Sequence, residues 1–194
     1  MSVAVIILAA GGSSRLGRPK QLLKYRNETL LNRAIRLAHE TGASPVVAVL
    51  GANYESIRAS IEDRTSIPVY NDHWRQGIAS SIHEGVRALS VCAPDAASVL
   101  LMGCDQPRLT AEHLRALFEA SSAAEAEAIV TSTYAGAHGV PAVFQRSTFA
   151  ELRALRGDKG ARSIIERGDF TVIDVEFAGG EVDIDSPEDL VQLG

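Results

Sequence analysis

An apolar run, Val3-Ala4-Val5-Ile6-Ile7-Leu8, empties into Leu8-Ala9-Ala10-Gly11-Gly12-Ser13-Ser14-Arg15-Leu16-Gly17-Arg18-Pro19-Lys20, and no other junction constrains the fold as strongly. The run reads as a buried first β-strand. A strand that ends in small residues, Gly, Arg and Lys lets backbone N–H groups approach an anion closely, while Arg15 and Lys20 supply charge. The alternative is an ordinary βα turn; two cations on one loop favour phosphate binding. Gly12 to Gly17 has the GxxxxG spacing of a P-loop, but Arg18 and Pro19 follow instead of Lys and Ser/Thr. Pro19 disfavours helical geometry at Arg18, so Lys20 is expected to reach the phosphates from a loop. The GxGxxG spacing of a dinucleotide-binding fold is missing as well.

The rest of the chain alternates. Leu30, Leu31, Ala34, Ile35, Leu37 and Ala38 recur at helical spacing, with Gly42 as a stop. Val46 to Leu50 and Ile67 to Tyr70 read as strands, and Tyr54 to Glu62 as a short helix between them with Ile57 and Ile61 inward. Ile78 to Leu89 is helical, Ser98 to Met102 is a fourth strand, and Thr110 caps a helix running to Ala120. Ala128 to Thr133, Val140 to Phe144 and Phe170 to Val175 add strands in a less regular second half. Ser186 is expected to cap a closing helix with Pro187 at its first position. The pattern βαβαβαβα predicts an α/β fold, a mostly parallel sheet between two helical layers with an appended mixed region. Ligands in such sheets sit beyond the C-terminal strand ends, where the first loop lies.

At 194 residues the chain suits a single domain, 1–194. A net charge of −5 argues against a broad nucleic-acid surface, so a basic loop on an acidic protein points to a small anionic ligand. Cys92 and Cys104 form no CxxC pair and fit a reduced, cytoplasmic protein. The segment 3–10 is too short to span a bilayer and lacks a basic flank, so neither an anchor nor a signal peptide is expected.

Asp105 closes the fourth strand and so lies at the same sheet edge as the first loop. A carboxylate beside a polyphosphate is repulsive unless a cation bridges them, which suggests Mg²⁺; the alternative is a plain turn Asp before Gln106-Pro107. In Val182-Asp183-Ile184-Asp185 the alternation puts Asp183 and Asp185 on one face, about 7 Å apart. Either could complete the metal site, or Asp185 could simply lead into Ser186. Trp74 reads as a structural anchor, Cys104 as a small buried filler, and His39, His73, His83 and His113 as surface or helix residues without zinc spacing.

Together these pieces resemble the molybdenum cofactor nucleotidyltransferases, most closely those that join CTP to molybdopterin. Leu8-Ala9-Ala10-Gly11 with Gly12, Ser13, Arg15, Gly17 and Lys20 resembles the family's opening signature. Asn71, Trp74 and Gly77-Ile78-Ala79-Ser80-Ser81 with Gly85 resemble its second nucleotide segment, and Asp105-Gln106-Pro107 its metal motif. Gly157 to Arg162 resembles a late loop and Asp183 to Asp189 the closing motif. The resemblance implies a nucleotide-diphospho-sugar transferase-like fold, with nucleotide binding in about 1–110 and acceptor binding in about 111–194.

It further implies NMP transfer from an NTP to a phosphorylated acceptor, with pyrophosphate released. Lys20, Arg15 and Asp105 would be catalytic, and Asp105, Asp185 and Asp183 would hold Mg²⁺. Leu8 to Ser13, Lys20, Gly77, Ser80 and Ser81 would contact the nucleotide; His138, Asp158 and Arg162 would contact the acceptor. Ala10, where guanylyltransferase relatives carry Gly, leans toward CTP. Val140 stands where the family's Gly-His-Pro would place His, a departure that bears on the acceptor, expected to be of molybdopterin type. A transient contact with a molybdoenzyme or its chaperone would follow. The rival readings are a GTP-dependent relative, a sugar-phosphate nucleotidyltransferase, a glycosyltransferase and a nucleotide-binding protein without turnover.

Overall fold

A computed structural model describes residues 3–193. Strand β1 (Ala4–Ala9) leads through the Gly-rich loop and a short hairpin, β2 (Lys24–Tyr25) and β3 (Glu28–Thr29), to helix α1 (Leu30–Glu40). There follow β4 (Val46–Leu50), α2 (Tyr54–Ala59), β5 (Ile67–Tyr70), α3 (Ile78–Cys92), β6 (Ser98–Gly103) and α4 (Ala111–Ala123). The second half holds β7 (Ile129–Tyr134), β8 (Ala137–Gln145), α5 (Phe149–Ala154), α6 (Arg162–Ile165) and β9 (Val172–Glu176). Seven strands form one sheet in the order β5-β4-β1-β6-β8-β7-β9. All neighbouring pairs are parallel except those made by β8, which runs against both β6 and β7.

Strand alternation builds the two cores. Val5, Ile7 and Ala9 of β1 face α1, α2 and α4, whereas Ala4 and Ile6 face α3, α5 and α6. β1, β4 and β6 are buried along nearly their whole lengths, as the unbroken apolar runs require of parallel strands covered on both faces. The three-layer α/β/α expectation therefore holds, and the appended mixed region is β8, β7 and β9 on the same sheet.

The sheet turns around at β1. Chain order proceeds from β1 outward through β4 to β5, then returns to place β6 on the other side of β1. The β1/β6 edge is thus the topological switch point, where the crossover connections diverge and leave a crevice. The first loop leaves β1 here, and Asp105 follows β6.

Several details depart from the sequence reading. Lys20 opens one turn of 3-10 helix, Lys20–Leu22, rather than standing in open loop. The closing segment Pro187–Leu193 is 3-10 throughout, and Ser186 does not cap it. Instead Asp189 Oδ2 accepts from the Ser186 hydroxyl (2.8 Å) and from the amides of Asp185 and Ser186. Thr110, by contrast, caps α4 as expected, accepting from the His113 amide.

Candidate active site

The site grows from the loop after β1. Gln21, fully buried, donates from Nε2 to the carbonyls of Ala9 (2.7 Å) and Gly11 (2.9 Å), fastening the loop's start to the strand end. Ser13 Oγ accepts from the Lys20 amide at 3.0 Å, closing the loop on itself. Among the described residues, the amides of Gly11, Gly12, Ser13, Ser14 and Arg15 meet no hydrogen-bond acceptor. They stand free to receive an anion.

Lys20 is where the chain's distant acids converge. Its Nζ donates to Asp105 Oδ2 and to Asp185 Oδ1, each at 2.6 Å, and Arg15 reaches Asp185 Oδ2 at 3.0 Å. Burial alone would lower the Lys20 pKa, but the Asp105 charge and the two carboxylate hydrogen bonds outweigh it and raise the pKa above its ordinary value. The ammonium is held charged. Asp183 sits beside this cluster, its carboxyl raised by burial and then by the nearby charges of Asp185 and Asp105.

The acidic segment is delivered by packing. Ile184, fully buried, joins Leu16, Leu23 and Leu30 in a small apolar cluster beneath the first loop. That anchor turns Asp183 and Asp185 to the other side, and the Ile184 amide donates to the Asp105 carbonyl at 3.0 Å. A Cβ at Gly103 would run into the Asp105 carboxylate, so a residue without one leaves the acid room. Gln106 donates from Nε2 to Val140 O (3.1 Å) and Gly180 O (3.0 Å), tying the β6 end to β8 and to the chain approaching Asp183.

Beside Lys20 and Asp105 opens a cavity of about 660 Å³ lined by Leu8, Ala10, Gly11, Trp74, Arg75, Gly77, Ile78, Ser81 and Asp158. Trp74 packs against the core as a structural anchor and also walls the cavity: its indole lies against Gly12, and the Arg75 guanidinium stacks over it at 4.3 Å. Buried Asn71 donates to both Ser80 Oγ (2.9 Å) and Ser81 Oγ (3.0 Å). Ser80 then spends its own proton on backbone carbonyls, leaving Ser81 as the hydroxyl on the cavity wall.

Of the expected acceptor residues, only Asp158 lines this cavity. His138, on β8, faces Asp174 of β9 at 3.1 Å, and Arg162 bonds Glu166 at 2.7 Å. Cys104 is the buried filler expected of it, its thiol pushed up to about 12 mainly by burial. His113 is a helix residue, on α4, and half-buried: its ring stacks on Phe177 at 4.4 Å and its Nε2 meets Ser132 Oγ at 2.8 Å. The sequence reading assigned no task to Gln21 or Gln106. No local pattern marks them: Gln21 follows Lys20, and Gln106 stands between Asp105 and Pro107.

The sequence matches the MobA-like NTP transferase domain over residues 5–172. The chain belongs to that family. It is accordingly a nucleotidyltransferase. The chain is 29% identical to purine catabolism protein PucB of Bacillus subtilis, across 95% of this chain and 92% of the relative. It is 31% identical to nicotine blue oxidoreductase of Paenarthrobacter nicotinovorans (98% and 96%) and 23% identical to molybdenum cofactor cytidylyltransferase of Escherichia coli (98% and 94%). Among solved structures, Rv0371c of Mycobacterium tuberculosis superposes with a TM-score of 0.85 at 32% identity, covering 100% of this chain and 98% of that one. A second structure of Rv0371c, a complex with manganese, superposes at 0.80 with 28% identity over the same shares. Among the described residues no helix is long and apolar enough to cross a membrane.

Proposed function

We propose that this nucleotidyltransferase moves CMP from CTP onto the phosphate of a molybdopterin-type acceptor and releases pyrophosphate. The observation that carries the reading is Lys20 Nζ, 2.6 Å from both Asp105 and Asp185, on the rim of the cavity at the switch point. The cytidylyltransferase relative and Ala10 support CTP and the acceptor.

The acceptor phosphate is already anionic at neutral pH, so no covalent enzyme intermediate is required. One acceptor phosphate oxygen forms a bond to the α-phosphorus, and the bond from that phosphorus to the oxygen bridging α and β breaks. The electron pair leaves with pyrophosphate. Catalysis is then positioning and charge neutralisation between two anions. The amides of Gly11 to Arg15 receive the triphosphate, Lys20 and Arg15 balance charge growing on its oxygens, and Trp74, Gly77 and Ser81 wall the nucleoside. The acids near Lys20 fit a hard divalent cation in kind, since their donors are carboxylate oxygens, although among the described residues Asp105, Asp185 and Asp183 are not gathered into a three-ligand group. That suits Mg²⁺, which takes one or two carboxylates and completes its shell with water and substrate phosphates. Asp105 and Asp185, with Asp183 beside them, would hold it, and when bound it supplies charge neutralisation on the phosphate oxygens. The reading places the protein in the cytoplasm, with a transient contact to a molybdoenzyme or its chaperone.

A thermal-shift panel of the four NTPs with Mg²⁺ tests the nucleotide choice. The expected result is the largest upward shift with CTP. A dominant response to GTP would move the assignment to guanylyl transfer, and no response to any NTP would contradict nucleotide binding in this cavity.

A further inference from the structure

By sequence position Asp158 and Arg162 belong together, on a late loop in the acceptor half. The structure separates them. Arg162 bonds Glu166 at the start of α6, while Asp158 joins Ala10, Gly11, Gly77 and Ser81 on the wall of the nucleotide cavity.

The loop carrying Asp158 is fastened to the beginning of α3. The Gly157 carbonyl accepts from the Ala79 amide at 3.1 Å, and Gly160 packs on Ile78. Gly77 sits at φ +101, and a Cβ there would collide with the Gly157 backbone and approach the Asp158 carboxylate. Loop and helix start thus form one wall, the same wall that holds Asn71, Ser80 and Ser81 in place.

The two acids lining the cavity differ in kind. Asp105 is neutralised by Lys20 at 2.6 Å, whereas Asp158 is exposed at the cavity's edge and its carboxylate receives no hydrogen bond or ion pair from the described residues. An uncompensated carboxylate repels phosphate and accepts from neutral N–H and O–H donors. A nucleotide therefore orients its phosphates toward Lys20, Arg15 and the free loop amides, and its nucleoside toward Asp158.

Resting on the nucleotide-binding reading of this cavity, we propose that Asp158 is a specificity-determining residue. Its carboxylate accepts a hydrogen bond from a donor on the nucleoside half of the NTP, either the exocyclic amine of the base or a ribose hydroxyl. The late loop then serves the nucleotide and not the acceptor.

Calorimetric titration of the full chain with CMP and with CTP plus Mg²⁺, for wild type and Asp158→Ala, tests this, with melting temperatures measured alongside. The expected result is a loss of affinity of about tenfold or more, by the same factor for CMP and CTP. UTP and 2′-deoxy-CTP then identify the donor: the analogue lacking it binds wild type weakly and is indifferent to the substitution. Unchanged affinity for CMP and CTP would overturn the proposal, and a lowered melting temperature in that case would leave Asp158 only a charge partner of α3. Tighter binding by the variant, or a loss confined to CTP, would also overturn it. Failure of wild type to bind any nucleotide would instead overturn the functional reading on which the proposal stands.

Discussion

At the scale of single residues, the account turns on polar groups whose partners are far away in sequence. Gln21 makes two hydrogen bonds from a fully buried position, and both run to the carbonyls that open the anion loop. Gln21→Leu keeps the volume and strands those acceptors, so we expect a loss of about 1–3 kcal/mol of stability together with weaker NTP binding. Urea denaturation measures the first; an unchanged midpoint would mean that the loop is held by something else. Lys20, Arg15 and Asp105 were legible because charged residues directly after apolar runs have few structural uses. Gln21 and Gln106 were not, since an amide serving backbone carbonyls leaves no spacing or charge pattern. Asp183 and Asp185 flank buried Ile184, as alternation expects, and Asp185 reaches Lys20 because Ile184 buries itself among Leu16, Leu23 and Leu30.

At the scale of elements, β1, β4 and β6 were read nearly to the residue, because both faces are buried and the apolar runs carry no interruption. The elements missed are those whose stability is tertiary. α5 and α6 span only six and four residues, too short to show periodicity. The β2–β3 hairpin turns at Arg26 and Asn27, both at positive φ, without the Gly that would have flagged it. Helix α4 shows what partial burial does to one of its own histidines. Ser132 Oγ donates to Pro141 O at 2.6 Å and so accepts from His113 Nε2, which fixes the neutral tautomer with its proton on Nε2. Burial lowers His113 from 6.5 to about 4. Between those values the unfolded chain binds more protons than the folded one, so this histidine makes stability rise with pH across that window and fall as the solution is acidified through it. His113→Phe, which preserves stacking on Phe177, should give a flatter stability profile between pH 4 and 6.5 than wild type. Parallel profiles for the two proteins would contradict the buried neutral state.

At the scale of the whole molecule, one sheet carries two tasks divided at β6. The parallel half, β5-β4-β1-β6, presents the Gly-rich loop and Asp105 at a switch point, and the β8-β7-β9 extension brings the chain back so that Asp185 closes on Lys20. The 157–160 loop comes late in sequence and yet brings Asp158 to the wall of the cavity beside Lys20, because Gly77 lets its backbone meet that of Gly157 where a side chain would keep them apart. No local pattern encodes that encounter. The central claim is that Lys20 unites the anion loop with the distant acids for nucleotidyl transfer. It is tested most directly by pyrophosphate release from CTP, Mg²⁺ and molybdopterin, wild type against Lys20→Ala. The account predicts release by wild type and a rate lower by about tenfold or more in the variant; equal rates would contradict it.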